Sequence, residues 1–81
     1  MPDKLEISNN IRKLRFFANE MTQQELAERT GVSRQTIIAV EAGKYSPSLE
    51  LAFRIAIAFG VPVTEVFLVQ NQGGEEKKEN R

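Results

Sequence analysis

Apolar residues along this chain fall at helical spacing in short runs, each bounded by a capping residue in front and a glycine behind. Ile11, Leu14 and either Phe17 or Ala18 recur at three- and four-residue intervals, which predicts a first helix capped by Ser8 or Asn9 and running to about Asn19. The segment Thr22-Gln23-Gln24-Glu25 is a capping box, and Leu26 and Ala27 follow on the apolar face of a second helix that Gly31 stops. Ser33 caps again, opening a third helix from Arg34 to about Ala42, closed by Gly43. After a loop from Lys44 to Pro47, Ser48 caps a fourth helix through Phe59, with Gly60 behind it. Val61-Pro62 is an extended step, and Val63 to about Phe67 forms a one-turn fifth helix. Leu5-Glu6-Ile7 and Leu68-Val69-Gln70 are β-prone and can pair as a small antiparallel sheet of two strands. The fold class is therefore all-α, with five helices and that small sheet as an accessory. Residues 1–8 form an N-terminal segment, 9–70 the domain, and 71–81 a flexible polar tail without an apolar side chain.

Composition narrows the chemistry. With 81 residues there is room for one domain and a small core; 41% hydrophobic and 27% charged residues suit a globular chain. Eleven Lys and Arg balance eleven Asp and Glu, so nucleic-acid binding by bulk charge is excluded and only a local patch can serve. The chain has neither Cys nor His, which removes disulfides, zinc fingers, thiol nucleophiles and the commonest general base. No carboxylate or serine constellation has catalytic spacing, so an enzyme is not expected, and neither a cofactor nor a metal. Residues 1–15 lack the apolar core of a signal peptide, and the stretch Leu49 to Phe59 is too short for a membrane span; a cytoplasmic protein is expected.

The segment from Gln23 to Ala42 carries a helix-turn-helix pattern over its whole length. Small Ala27 permits close crossing of two helices, and Gly31 supplies the positive φ of the turn. Leu26, Val32, Ile37 and Val40 are apolar where the helices share a core. In the third helix Ile37 and Val40 face inward, which leaves Arg34, Gln35, Ile38 and Ala39 outside. Arg pairs with guanine O6 and N7 and Gln with adenine N6 and N7 by two hydrogen bonds each, so this face suits base edges. The apolar pair Ile38 and Ala39 suits thymine methyl groups.

On the residues IRKLR, MTQQELAERTGVSRQTI, EAGKYSPSLELAFRIA and FGVPVTEVF, the chain resembles the Xre/Cro-type helix-turn-helix regulators, above all their short stand-alone members. The resemblance implies a lambda-repressor-like domain that binds double-stranded DNA, at a palindromic operator, as a homodimer with the third helix in the major groove. It implies base contacts at Arg34, Gln35, Ile38 and Ala39 and phosphate contacts at Gln23, Thr36, Lys44, Tyr45 and Ser46. It also implies a buried ion pair between Arg15 and Glu41. Three departures stand out. Thr30 replaces a usual apolar turn residue and is expected to loosen packing slightly; the stretch RFFANEM is about one residue longer than in many relatives; and Ile38 and Ala39 shrink the polar reading surface.

Each of these residues has a plainer role open to it: Gln23 as a solvated helix former, Thr36 bonded to its own helix, Arg34 and Gln35 as ordinary surface. A second function class fits the same fold, a protein-interaction module such as an antitoxin or adaptor. Zero net charge, Ile38 and Ala39 favour it; Arg34 and Gln35 favour DNA. The fourth helix is apolar nearly all round, so Phe53 and Ile57, near Val63, Val66, Leu68 and Val69, are expected to form a dimer interface. The alternative cover for that patch is the C-terminal strand and tail folded back over it.

Overall fold

The computed structural model describes residues 5–70. In chain order these form strand β1 (Glu6–Asn9), helices α1 (Ile11–Phe17), α2 (Gln23–Thr30), α3 (Arg34–Glu41), α4 (Leu49–Phe59) and α5 (Val63–Val66), and strand β2 (Phe67–Gln70). The first four residues of the expected N-terminal segment (1–8) and the expected tail at 71–81 lie outside the described residues.

Capping sets the helix starts. Thr22 Oγ1 accepts from Glu25 N at 2.9 Å while Glu25 Oε1 accepts from Thr22 N at 2.9 Å, the reciprocal box read from the sequence. Ser33 Oγ accepts from Thr36 N at 3.1 Å, and Ser48 Oγ from Leu51 N at 3.1 Å. Gly31, at φ 77°, turns the chain between α2 and α3 in the left-handed conformation that side chains resist.

The first helix differs from expectation at both ends. β1 runs through Asn9, so Ser8 is a strand residue bonded to Gln70; the N-cap of α1 falls on Asn10, whose side chain makes no capping bond, instead of Ser8 or Asn9, and the Asn9 side chain accepts from Ile11 N at 3.0 Å. The same amide donates to Glu41 O at 3.3 Å and to Val40 O at 3.2 Å, where it joins Gly43 N as a second donor at the end of α3. At its other end α1 stops at Phe17, two residues early, because Asn19 and Glu20 adopt left-handed φ values of 62° and 57°. Ala18 packs against the core, whereas Phe17 is 70% exposed.

Strands β1 and β2 pair antiparallel, with Ile7 opposite Val69 and Asn9 opposite Phe67. β2 follows α5 without a gap, so Phe67 is a strand residue and not the end of the fifth helix.

The core gathers Ile11, Leu26, Ile37, Val40, Ile55 and Val66, with Met21, Ala27, Leu51 and Ala56 around them. Truncating such a buried side chain to alanine typically costs about 2–5 kcal/mol, comparable with the whole stability of a small domain. Val66 is therefore a core residue, since none of its surface remains for the association patch where the sequence placed it. Thr30 is buried as the apolar residue it replaces would be. Its hydroxyl donates to Leu26 O at 2.8 Å and lies 3.2 Å from Ala27 O, so no polar group is stranded.

Candidate nucleic-acid interface

Helix α3 is divided by burial into two faces. Ile37 and Val40 are locked in the core, Arg34 and Gln35 project into solvent, and Ile38 and Ala39 are half-buried beside them. The cap at Ser33 holds the first turn rigidly, so the exposed pair leaves a fixed helix start. Thr36 belongs to that cap, its hydroxyl 3.0 Å from Ser33 Oγ. At the far end, Lys44 N donates to Ala39 O at 2.9 Å and Gly43 N to Val40 O at 3.0 Å, closing α3 as Gly43 turns left-handed. Lys44, Tyr45 and Ser46 are exposed in the loop that follows.

Gln23 opens α2 and its side chain makes no hydrogen bond among the described residues. It lines an open groove of about 340 Å³ together with Asn9, Arg12, Ile38, Glu41 and Ala42. The groove joins one expected phosphate-contact residue to the outer face of α3, and it adds Arg12, which the sequence reading passed over. The signal for Arg12 was its spacing: it stands one helical turn before Arg15, so the pairing of Arg15 with Glu41 carries both arginines to the α3 side.

Charge is distributed unevenly despite the neutral total. Arg15 is paired with Glu41 at 2.8 Å and Arg54 with Glu50 at 2.7 Å. Arg12, Arg34 and Lys44 are exposed and have no ion pair or hydrogen bond from their side chains among the described residues, which leaves open cations around α3.

The fourth helix presents a second surface. Leu49, Phe53 and Ile57 are 74%, 48% and 75% exposed and stand four residues apart, an apolar stripe along one side of α4. Leu49, the helix's first residue, was missing from the expected patch. Val63 is half-buried against the core. Leu68 and Val69 are both exposed, but successive strand residues face opposite ways, so they do not share one face. Among the described residues no helix is long and apolar enough to cross a membrane.

The helix-turn-helix family model HTH_3 matches residues 11–66. An uncharacterized HTH-type transcriptional regulator of Methanocaldococcus jannaschii is 51% identical over 65 residues, covering 80% of this chain and 97% of the relative. One from Methanothermobacter thermautotrophicus is 55% identical over 56 residues, 68% of this chain and 81% of its own length. The cryptic phage CTXphi transcriptional repressor RstR of Vibrio cholerae is 34% identical over 74 residues, 91% of this chain and 66% of that protein.

Proposed function

The chain belongs to the helix-turn-helix family, and from that premise we propose that it is a sequence-specific regulator of transcription that binds double-stranded DNA as a homodimer. The observation that carries the proposal is the outer face of α3. Arg34 and Gln35 stand free at a capped helix start while Ile37 and Val40 anchor the opposite side in the core. A helix so held can enter the major groove, about 12 Å wide, and present its first turn to base edges. Arg34 and Gln35 then read bases, and Ile38 and Ala39 meet thymine methyl groups. Gln23, Lys44, Tyr45 and Ser46 track the phosphates on either side, with Thr36 at the rim.

The exposed stripe on α4 supports the homodimer. An apolar strip on a twofold axis is self-complementary, and two copies place their recognition helices about 34 Å apart, one turn of duplex. The name of the Vibrio cholerae phage repressor supports repression as the mode of action. Selection of bound sequences from random duplex DNA tests the proposal. Enrichment of a palindrome with half-sites about one turn apart is expected; a pool that stays random after several rounds would refute sequence-specific binding.

A further inference from the structure

The groove between α1 and α3 contains four polar side chains, Asn9, Arg12, Gln23 and Glu41, set around Ile38 and Ala42. Two of them are occupied. The Asn9 amide donates to Val40 O and Glu41 O and accepts from Ile11 N, and the Glu41 carboxylate takes both of its hydrogen bonds from Arg15. Arg12 and Gln23 are left with no partner among the described residues. Arg12 brings a permanent positive charge and a planar set of donors, Gln23 an uncharged amide. They come from different helices and meet at one groove bordered by the outer face of α3.

We propose that Arg12 is a phosphate-contact residue, gripping the DNA backbone beside Gln23 on the flank of the recognition helix. The inference rests on the proposed function, specifically on α3 lying in the major groove. In that pose the walls beside the helix are sugar-phosphate backbone, and residues flanking Ile38 from α1 and α2 meet phosphate oxygens instead of base edges. The acid in the groove does not cancel the attraction. Glu41 is neutralised by Arg15, so Arg12 contributes an uncompensated charge where the backbone passes. Arg15 has a structural part in this: by holding α1 to the end of α3 it fixes where Arg12 stands.

Lys13 supplies the control. It is the next residue, also exposed and without a partner among the described residues; it shares a neighbouring groove with Arg12, Phe16 and Phe17 but is absent from the one that Arg12 shares with Gln23 and Ile38.

The test measures affinity of the full chain for its selected duplex over a series of salt concentrations. Each neutralised phosphate adds about 0.9 to the steepness of log affinity against log salt. Arg12→Ala is expected to flatten that slope by about 0.9 for every protomer on the duplex, with base preference unchanged. Arg12→Lys is expected to retain the slope, and Lys13→Ala to leave it alone. Ethylation of backbone phosphates gives an independent readout: one phosphate whose ethylation blocks the parent chain is expected to become indifferent in Arg12→Ala. A parent-like slope in Arg12→Ala, or an equal loss in Lys13→Ala, overturns the contact while leaving the function intact. A parent chain that binds no duplex overturns the function and the contact together. Because the Arg12 side chain makes no hydrogen bond or ion pair among the described residues, thermal unfolding of Arg12→Ala is expected to match the parent, which separates lost contact from lost fold.

Discussion

Arg15 and Glu41 meet in a forked ion pair, Nη2 to Oε2 at 2.8 Å and Nε to Oε1 at 3.1 Å. The third guanidinium nitrogen, Nη1, donates to Met21 O at 2.9 Å, so one side chain ties α1 both to the end of α3 and to the segment that leads into α2. With 17% and 13% of the side chains exposed, the pair is mostly withdrawn from water. The pair fixes the end of α3 against α1, beside the core contacts of Ile37 and Val40.

Removing one partner should cost more than removing both. Glu41→Ala strands a mostly buried guanidinium, and a loss on the order of 2–3 kcal/mol is expected, below the 3–5 of a fully buried pair because some solvent reaches it. The double variant Arg15→Met, Glu41→Leu is expected to recover much of that loss, since apolar side chains carry no desolvation cost. Urea denaturation of the two variants checks this. A double variant less stable than Glu41→Ala would show that the pair itself, not the stranded charge, sets the stability.

The second, third and fourth helices were legible because cap, apolar spacing and stop signal agree within each of them, as in Thr22, Leu26 and Gly31. The outer face of α3 followed from those signals, since fixing Ile37 and Val40 inward leaves Arg34 and Gln35 exposed. The first helix was less legible for two physical reasons. Asn9 takes its place by bonding carbonyls at the end of α3, distant in sequence, which no local pattern records. The helix ends where Asn19 and Glu20 turn left-handed, a conformation usually announced by glycine. Arg12 was legible from its spacing one turn before Arg15 and was passed over, whereas Val66 was hidden because a four-residue helix has no periodicity from which to read an inner face.

Glu20 is the costlier of the two left-handed residues, since asparagine tolerates that conformation and glutamate does not. Glu20→Gly removes the strain but loosens the unfolded chain, and the two effects partly offset. A net gain of about 0.5–1 kcal/mol is expected, seen as a raised midpoint of thermal unfolding. An unchanged or lowered midpoint would mean that the Glu20 side chain contributes more than its backbone costs.

Arg34 and Gln23 should fail in different ways. Arg34→Ala is expected to lose roughly 1–3 kcal/mol on the preferred duplex and to relax base preference at one position per half-site. Gln23→Ala is expected to weaken every sequence about equally, as loss of a phosphate contact does. Repeating the duplex selection with each variant separates the cases. Wild-type preference retained by Arg34→Ala would exclude Arg34 as a base-reading residue.

The proposed homodimer is tested at the stripe on α4. Nine of the eleven residues from Leu49 to Phe59 are apolar, and the fold buries only one side of that helix. Leu51, Ala52, Ile55 and Ala56 face the core, which leaves Leu49, Phe53 and Ile57 in solvent four residues apart. Glu50 and Arg54 pair with each other on the same helix, so their charges are matched locally and do not repel a second copy. Covering the stripe with its own image removes apolar surface from water at about 25 cal/mol per Å² before the costs of association are met. Ile57, at 75% exposure, is not part of the core, so a glutamate there is expected to leave the fold intact and, in the proposed dimer, to set two carboxylates against each other. Sedimentation at micromolar concentration should therefore give a dimer for the parent and a monomer for Ile57→Glu. The same substitution should weaken binding to a palindromic duplex far more than to a single half-site, because it removes the tethering of one recognition helix by the other. Equal weakening on both duplexes would place Ile57 at the DNA instead, and a dimer that survives Ile57→Glu would move the association surface off α4 altogether.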